Sequence, residues 1–331
     1  SLTFASLSLA ATAGHWVVTW GASPSPQRKD AEMRAQKLIY ENQTVREIVH
    51  VSLGGDTVRV RLSNAYGKQT VEIGAAHIAL HAKESAVVPG SDRPLTFSGR
   101  STVAIPPNAL VLSDPVKLTV PPSGDVAVSL FLPKMAMGAG IHYSAQQTSY
   151  IGENDLTGSV SFSQPATVES WVFLAGLDVM AHGPASTLVA FGDSITDGAH
   201  STTNANHRWP NFFADRLLSR PGHQQIGVLD AGIGGNRILH DAMTNIRFGV
   251  NGLSRFDRDV LAQPGIKYVI VLEGINDLGH PGTSAPESET VSADDIIAGL
   301  RQLAGRAHEN GLKIFIGTLT TKSLVIAGEG D

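Results

Sequence analysis

From Trp16 to about Gly183 the chain alternates apolar and polar positions with a period of two. In Thr57-Val58-Arg59-Val60-Arg61-Leu62, the residues Val58, Val60 and Leu62 fall on one side of an extended chain. The arginines fall on the other, which predicts a strand with one face in a core and one in water. Val116-Lys117-Leu118-Thr119-Val120 repeats the pattern, and Val126 to Leu132 predicts a more deeply buried strand. Turn formers stand between the runs: Gly54-Gly55-Asp56, Asn64-Ala65-Tyr66-Gly67, Pro106-Pro107-Asn108 and Pro121-Pro122-Ser123-Gly124. Only Asp30 to Leu38 suggests a helix. Short strands at regular spacing predict an all-β sandwich of jelly-roll type over residues 16–183.

After His182-Gly183-Pro184 the period changes. Leu188 to Phe191 is a short all-apolar run, the pattern of a strand covered on both faces. Helical spacing follows over Trp209 to Leu218, then strand-like runs at Ile226–Leu229 and Tyr268–Leu272. Ser292 with Asp295 three residues on makes a capping-box start for a helix whose Ile296, Leu300, Leu303 and Ala307 share a stripe. Gly311 stops it, and Ile314 to Gly317 predicts one more strand. Strands alternating with helices predict a parallel, doubly wound sheet over residues 184–331, which binds ligands at the carboxyl ends of its strands.

Composition narrows the chemistry. The 331 residues carry 25 basic and 30 acidic side chains, giving no electrostatic footprint for nucleic acid. Cysteine is absent, which excludes disulfides, thiolate metal sites and cysteine nucleophiles. Residues 1–15 are expected to be an N-terminal arm or the remnant of an export signal, since Ala11-Thr12-Ala13 fits a signal-cleavage pattern. That reading places the protein in the periplasm or outside the cell. No run approaches the ~20 apolar residues of a membrane-spanning helix. Walker, H-E-x-x-H and EF-hand patterns are missing, and Gly232-x-Gly234-Gly235 departs from the dinucleotide fingerprint at Arg237. No metal or cofactor is expected.

Three loops follow three of the predicted parallel strands: Gly192-Asp193-Ser194, Ala231 to Arg237, and Glu273-Gly274-Ile275-Asn276-Asp277. A parallel sheet projects all three from one edge, so a hydroxyl, a glycine-rich backbone and a carboxamide can meet. Acyl transfer needs a nucleophile and preorganised N–H donors for the oxyanion. Each loop alone is better explained as a helix cap or a turn. Their co-occurrence in this order is more specific.

These motifs resemble those of the GDSL-type, or SGNH, hydrolases, serine esterases and lipases on a flavodoxin-like, three-layer α/β/α sheet. The β-rich first half is similar to the accessory domain that some bacterial secreted members carry. The resemblance implies Ser194 as nucleophile. It also implies an oxyanion hole from the backbone N–H of Gly235 and the side chain of Asn276, with the N–H of Ser194 as a third donor. The implied activity is cofactor-free hydrolysis of a small-molecule carboxylic ester.

The family's last block, an Asp-x-x-His that supplies the general base, has no counterpart after Leu319, where the chain reads TTKSLVIAGEGD. The expectation is a domain incomplete at its C-terminus, with Ser323 to Ala327 as a short strand and an uncovered side favouring homo-oligomers. The spacing Asp277-Leu278-Gly279-His280 makes His280 an alternative base; His207 and His240 are looser candidates. His50, His77 and His81 are expected at the surface or strand edges of the β half. Two functions are expected: an active esterase whose base comes from His280, a neighbouring protomer or a C-terminal piece not present in this chain, or a catalytically silent module binding an acylated or glycan ligand.

Overall fold

The structure, a computed structural model, describes residues 14–220 and 225–318. The export-signal pattern ending at Ala13, and the tail with the expected strand Ser323–Ala327, lie outside the described residues.

The first half contains β1 (His15–Gly21), α1 (Asp30–Ala35), β2 (Gln43–His50), β3 (Gly55–Ser63), β4 (Ala75–Lys83), β5 (Leu110–Leu112), β6 (Val116–Val120), β7 (Asp125–Leu132), β8 (Ser149–Glu153), β9 (Ala166–Val168) and β10 (Leu174–Ala181). One antiparallel sheet runs β1-β10-β3-β5, with β6 also on β3; the other runs β9-β8-β2-β7-β4. Val58, Val60, Leu62, Leu177 and Val179 from the first sheet meet Val45, Val49, Ile78, Val126, Val128 and Leu130 from the second in one core. His15, read as part of the N-terminal arm, instead opens β1 opposite Ala181.

The second half contains β11 (Ala185–Gly192), α2 (Ser194–Asp197), α3 (Trp209–Leu218), β12 (Gln225–Gly232), α4 (Gly252–Phe256), β13 (Ile266–Leu272), α5 (Ile275–Gly279), α6 (Ala293–Glu309) and β14 (Lys313–Ile316). The sheet order is β12-β11-β13-β14, every pair parallel. Leu188 and Val228 pack on Ala214 of α3. Val189, Phe191, Val269 and Val271 instead meet Phe256, Val260, Leu303 and Ala307. Both faces of the central strand are therefore covered, as its unbroken apolar run requires. Ser292 caps α6 as predicted, its hydroxyl accepting from the N–H of Asp295 and its own N–H donating to the Asp295 carboxylate. Among the described residues no helix is long and apolar enough to cross a membrane.

The two halves are closely joined. Arg59 and Arg61, expected to face water, face protein. Arg59 donates to Asp178 at 2.9 Å, and buried Arg61 pairs with Asp178 and donates to Gln263 of the second half at 2.7 Å. The alternation of β3 was read correctly, but its polar face is covered by the second half. Around β12 the fit is tighter still. Ser52 accepts from the N–H of Val228 at 2.8 Å, and the N–H of Val18 donates to Thr187 at 3.0 Å. A Cβ on Gly227 would lie 1.9 Å from the carbonyl oxygen of Val18, so only glycine lets β12 approach β1 this closely. Gly227→Ala is expected to destabilise the protein by about 1–3 kcal/mol through overpacking of backbone on backbone. Gly305→Ala, in an exposed interior turn of α6 with nothing near the new methyl, is expected to stabilise by about 0.5–1 kcal/mol. Urea denaturation of the two variants checks both signs.

Candidate active site

The central strand β11 ends at Gly192, and the chain turns at once into α2. Asp193 caps that helix, its carboxylate accepting from the N–H of Ile195 at 2.9 Å. Ser194 is the first helical residue, half-buried, just beyond the carboxyl end of the strand. Among the described residues its hydroxyl makes no hydrogen bond within the protein, and its backbone N–H is likewise free.

The other two loops are tied to this turn. The N–H of Ile233 donates to Gly192 O at 3.0 Å, and that of Gly234 to the Asp197 carboxylate at 2.8 Å. Gly235 has φ +78°, and a Cβ there would lie 2.3 Å from the Phe248 ring, so both conformation and contact require glycine. Its N–H has no partner among the described residues. The side chain of Asn276 donates to Asn236 O at 2.9 Å. That bond uses one of its two amide hydrogens and leaves the other available. The structure thus joins the loops of Ser194, Gly235 and Asn276 at one sheet edge.

Beneath them lies Arg255, which the sequence reading passed over. Its guanidinium is fully buried against the face of Phe191, 3.9 Å from the ring centroid. It donates to Gly192 O at 2.9 Å, Ala231 O at 2.8 Å and Asn236 Oδ1 at 2.7 Å, and to Asp259 at 3.1 Å and Glu273 at 3.4 Å. One cation therefore holds the carboxyl ends of β11 and β12 and the residue after β13. No periodicity marks such a residue: an arginine in a short amphipathic turn reads as a solvated face.

Burial sets the charge of the surrounding acids. It raises Asp193 to about 6, against the N–H of Ile195 and the charge of Arg255. It also pushes Glu273 well above the usual carboxylate range, with the charge of Asp193 adding to the effect. Asp230, in β12, is raised to about 7 by burial; one of its oxygens accepts from the Gly232 N–H and the other has no partner.

The alternative dyad is not assembled. Both oxygens of Asp277 accept backbone N–H groups, from Ile238 at 2.8 Å and Leu239 at 3.0 Å, so this carboxylate braces the glycine loop rather than orienting His280. His280 is half-buried, its ring 5.3 Å from that of Phe248, and burial with the nearby Arg237 lowers its pKa. His207 stacks on Phe212, and neither it nor His240 bonds to Ser194. In the β half His50 and His77 pair with Asp125 and Asp92 as partly exposed residues. His142, not singled out from sequence, is buried against α2 and bonds Asp197.

Residues 190–328 match the family described as GDSL-like Lipase/Acylhydrolase. That span is about two fifths of the chain, and over it the chain is similar to that family. Among solved structures it is similar to AlinE4, an SGNH-hydrolase family esterase, at 20% identity over 44% of this chain and 65% of that one, TM-score 0.32. Axe2, an acetylxylan esterase from Geobacillus stearothermophilus, is 23% identical over 40% of this chain and 58% of that one, TM-score 0.31. The M. smegmatis aryl esterase is 20% identical over 40% and 62%, TM-score 0.32. The chain thus spans less than two thirds of the length of each. No curated protein matches it.

Two measurements test this site. Arg255→Lys keeps a charge but loses the fork that reaches the strand ends, and is expected to cost about 3–5 kcal/mol in urea denaturation. For Asp230 the folded pKa lies above the unfolded value, so the folded state binds the proton more tightly. Its cost to stability grows as pH rises from about 4 through 7. Asp230→Asn is therefore expected to stabilise by on the order of 1–2 kcal/mol at pH 8 and by much less at pH 4.

Proposed function

We propose that this protein is a serine carboxylic-ester hydrolase in which Ser194 forms the acyl-enzyme and Gly235 and Asn276 bind the oxyanion. The second half is read as a flavodoxin-like, three-layer α/β/α domain from residue 184, and residues 16–183 as its β-sandwich companion. The observation that carries the reading is the cross-linking of the three loops: Asn276 bonds the carbonyl of the residue after Gly235, and Gly234 bonds the helix that Ser194 opens.

In the proposed reaction the Ser194 oxygen adds to the acyl carbonyl while its proton passes to a general base. The carbonyl oxygen becomes an oxyanion, facing the free N–H groups of Gly235 and Ser194 and the second amide hydrogen of Asn276. Collapse expels the alcohol, which takes up the proton, and water then hydrolyses the acyl-enzyme. His280 has no side-chain hydrogen bond among the described residues, and its lowered pKa favours the neutral, proton-accepting form.

Hydrolysis of p-nitrophenyl acetate by the 331-residue chain tests the reading. Ser194→Ala is expected to reduce turnover to background, and Asn276→Ala to lower kcat by about 10²–10³-fold. Equal turnover in wild type and Ser194→Ala would overturn the assignment. His280→Ala, assayed beside them, reads whether that imidazole takes the proton.

A further inference from the structure

The first half of the chain reaches the turn that carries Ser194 through one buried side chain. His142 Nδ1 lies 3.1 Å from the carbonyl oxygen of Ser23, and Nε2 lies 2.9 Å from Asp197 Oδ1. The ring leans on Trp171, centroids 5.5 Å apart. A carbonyl and a carboxylate only accept hydrogen bonds, so both contacts are made together only when both ring nitrogens carry protons. His142 is then an imidazolium paired with the Asp197 carboxylate.

Asp197 has three further attachments. Its other oxygen accepts the N–H of Gly234, the residue before Gly235, and its backbone N–H closes α2 on Asp193 O at 2.9 Å. Its carbonyl accepts from Arg208 at 2.8 Å, and Arg208 in turn donates to Ala145 O of the β half. A clamp from the first half thus grips the end of the helix that Ser194 begins and, through one carboxylate, the glycine loop.

We propose that His142 is a positioning residue of the reaction centre: from the β half it fixes Asp197, and through Asp197 it sets Ser194 and the Gly234–Gly235 amides relative to each other. This rests on the reading of Ser194 as nucleophile. It makes the β half a working part of the site. The charged and titratable groups facing His142 are Asp197, Arg208 and Asp230, with His50 and Asp215 on the walls of the same small cavity. Burial lowers the pKa of the ring, but the charge and hydrogen bond of Asp197, with the bond to Ser23, outweigh it and hold the pKa above the ordinary ~6.5. The clamp is therefore whole below that ordinary value and is lost as pH rises through the raised one. A neutral ring has a single N–H and turns a lone pair toward the other oxygen.

The test compares wild type, His142→Gln and His142→Ala in p-nitrophenyl acetate hydrolysis from about pH 6 to about pH 9, beside Ser194→Ala, with amide resonances of Gly234 and Gly235 followed over the same range. His142→Ala is expected to lower kcat by about tenfold or more with KM within about twofold, while remaining cooperatively folded. His142→Gln, which donates one bond but does not titrate, is expected to recover part of kcat and to lose the alkaline fall that wild type shows. Wild-type kcat and an unchanged pH profile in both variants would overturn the proposal, as would losses that only track the unfolded fraction. Turnover indifferent to Ser194→Ala would overturn the nucleophile reading alone. The resonances then decide the clamp: movement with a titration in wild type that vanishes in His142→Gln supports it, and no movement in either overturns it.

Discussion

A guanidinium out of water must have its donors satisfied, and meeting that demand at Arg255 organises this end of the molecule. Five N–H groups in a rigid fork meet acceptors on Gly192, Ala231, Asn236, Asp259 and Glu273. The first two are the carbonyls at or beside the ends of β11 and β12, and Glu273 follows the end of β13. The edge of a parallel sheet is a place where backbone groups lose their ladder partners and the chain must turn. Here one side chain supplies the missing donors to two strands at once. Asn236, fixed by Arg255, then presents its carbonyl to Asn276, so the restraint on the strand ends passes to the loops that carry the proposed chemistry.

A second constraint comes from the other half of the chain. β1 lies so close to β12 that position 227 has no room for a side chain, and Ser52 and Thr187 supply hydrogen bonds between the halves. The pairing of Arg61 with Asp178 and Gln263 buries a charge where a strand surface would otherwise be wet. Such an interface resists sliding, because a shifted register leaves Arg61 or Asp178 buried without a partner. A contact as short as that of His142 with Asp197 is useful for positioning only on a boundary this stiff.

Much of this architecture is legible along the chain. The period-two runs gave β3, β6 and β7 within a few residues, and the capping box at Ser292 gave the start of α6. The three loops were legible as a set because a parallel sheet places them together whatever lies between. What failed to show has a common physical cause. Arg59 and Arg61 alternate as solvent-facing residues do, and the pattern carries no sign of a second layer that covers them. Apart from Asp259, the partners of Arg255 and His142 named above lie 18 to 119 residues away, and only the folded chain brings those pairs together. The spacing of Asp277 and His280 suggested a dyad, yet backbone N–H groups of the neighbouring loop claim the carboxylate first.

The acids around the strand ends bear on the proposed oxyanion. A row of ionised carboxylates there would oppose negative charge developing above it, and this segment of chain supplies Asp193, Glu273 and Asp277 within reach of one another. Burial acts against their ionisation. It raises all three, while the backbone donors at Asp193 and Asp277, the cation of Arg255, and Arg237 and His240 beside Asp277 pull the other way. Asp259, by contrast, has its pKa lowered against its own burial by Arg258 and Arg255. Burial thus opposes the build-up of negative charge at the loop ends. In the proposed reaction this is as necessary as the donors themselves, because an N–H aimed at an oxyanion stabilises it only if nearby carboxylates do not cancel its field.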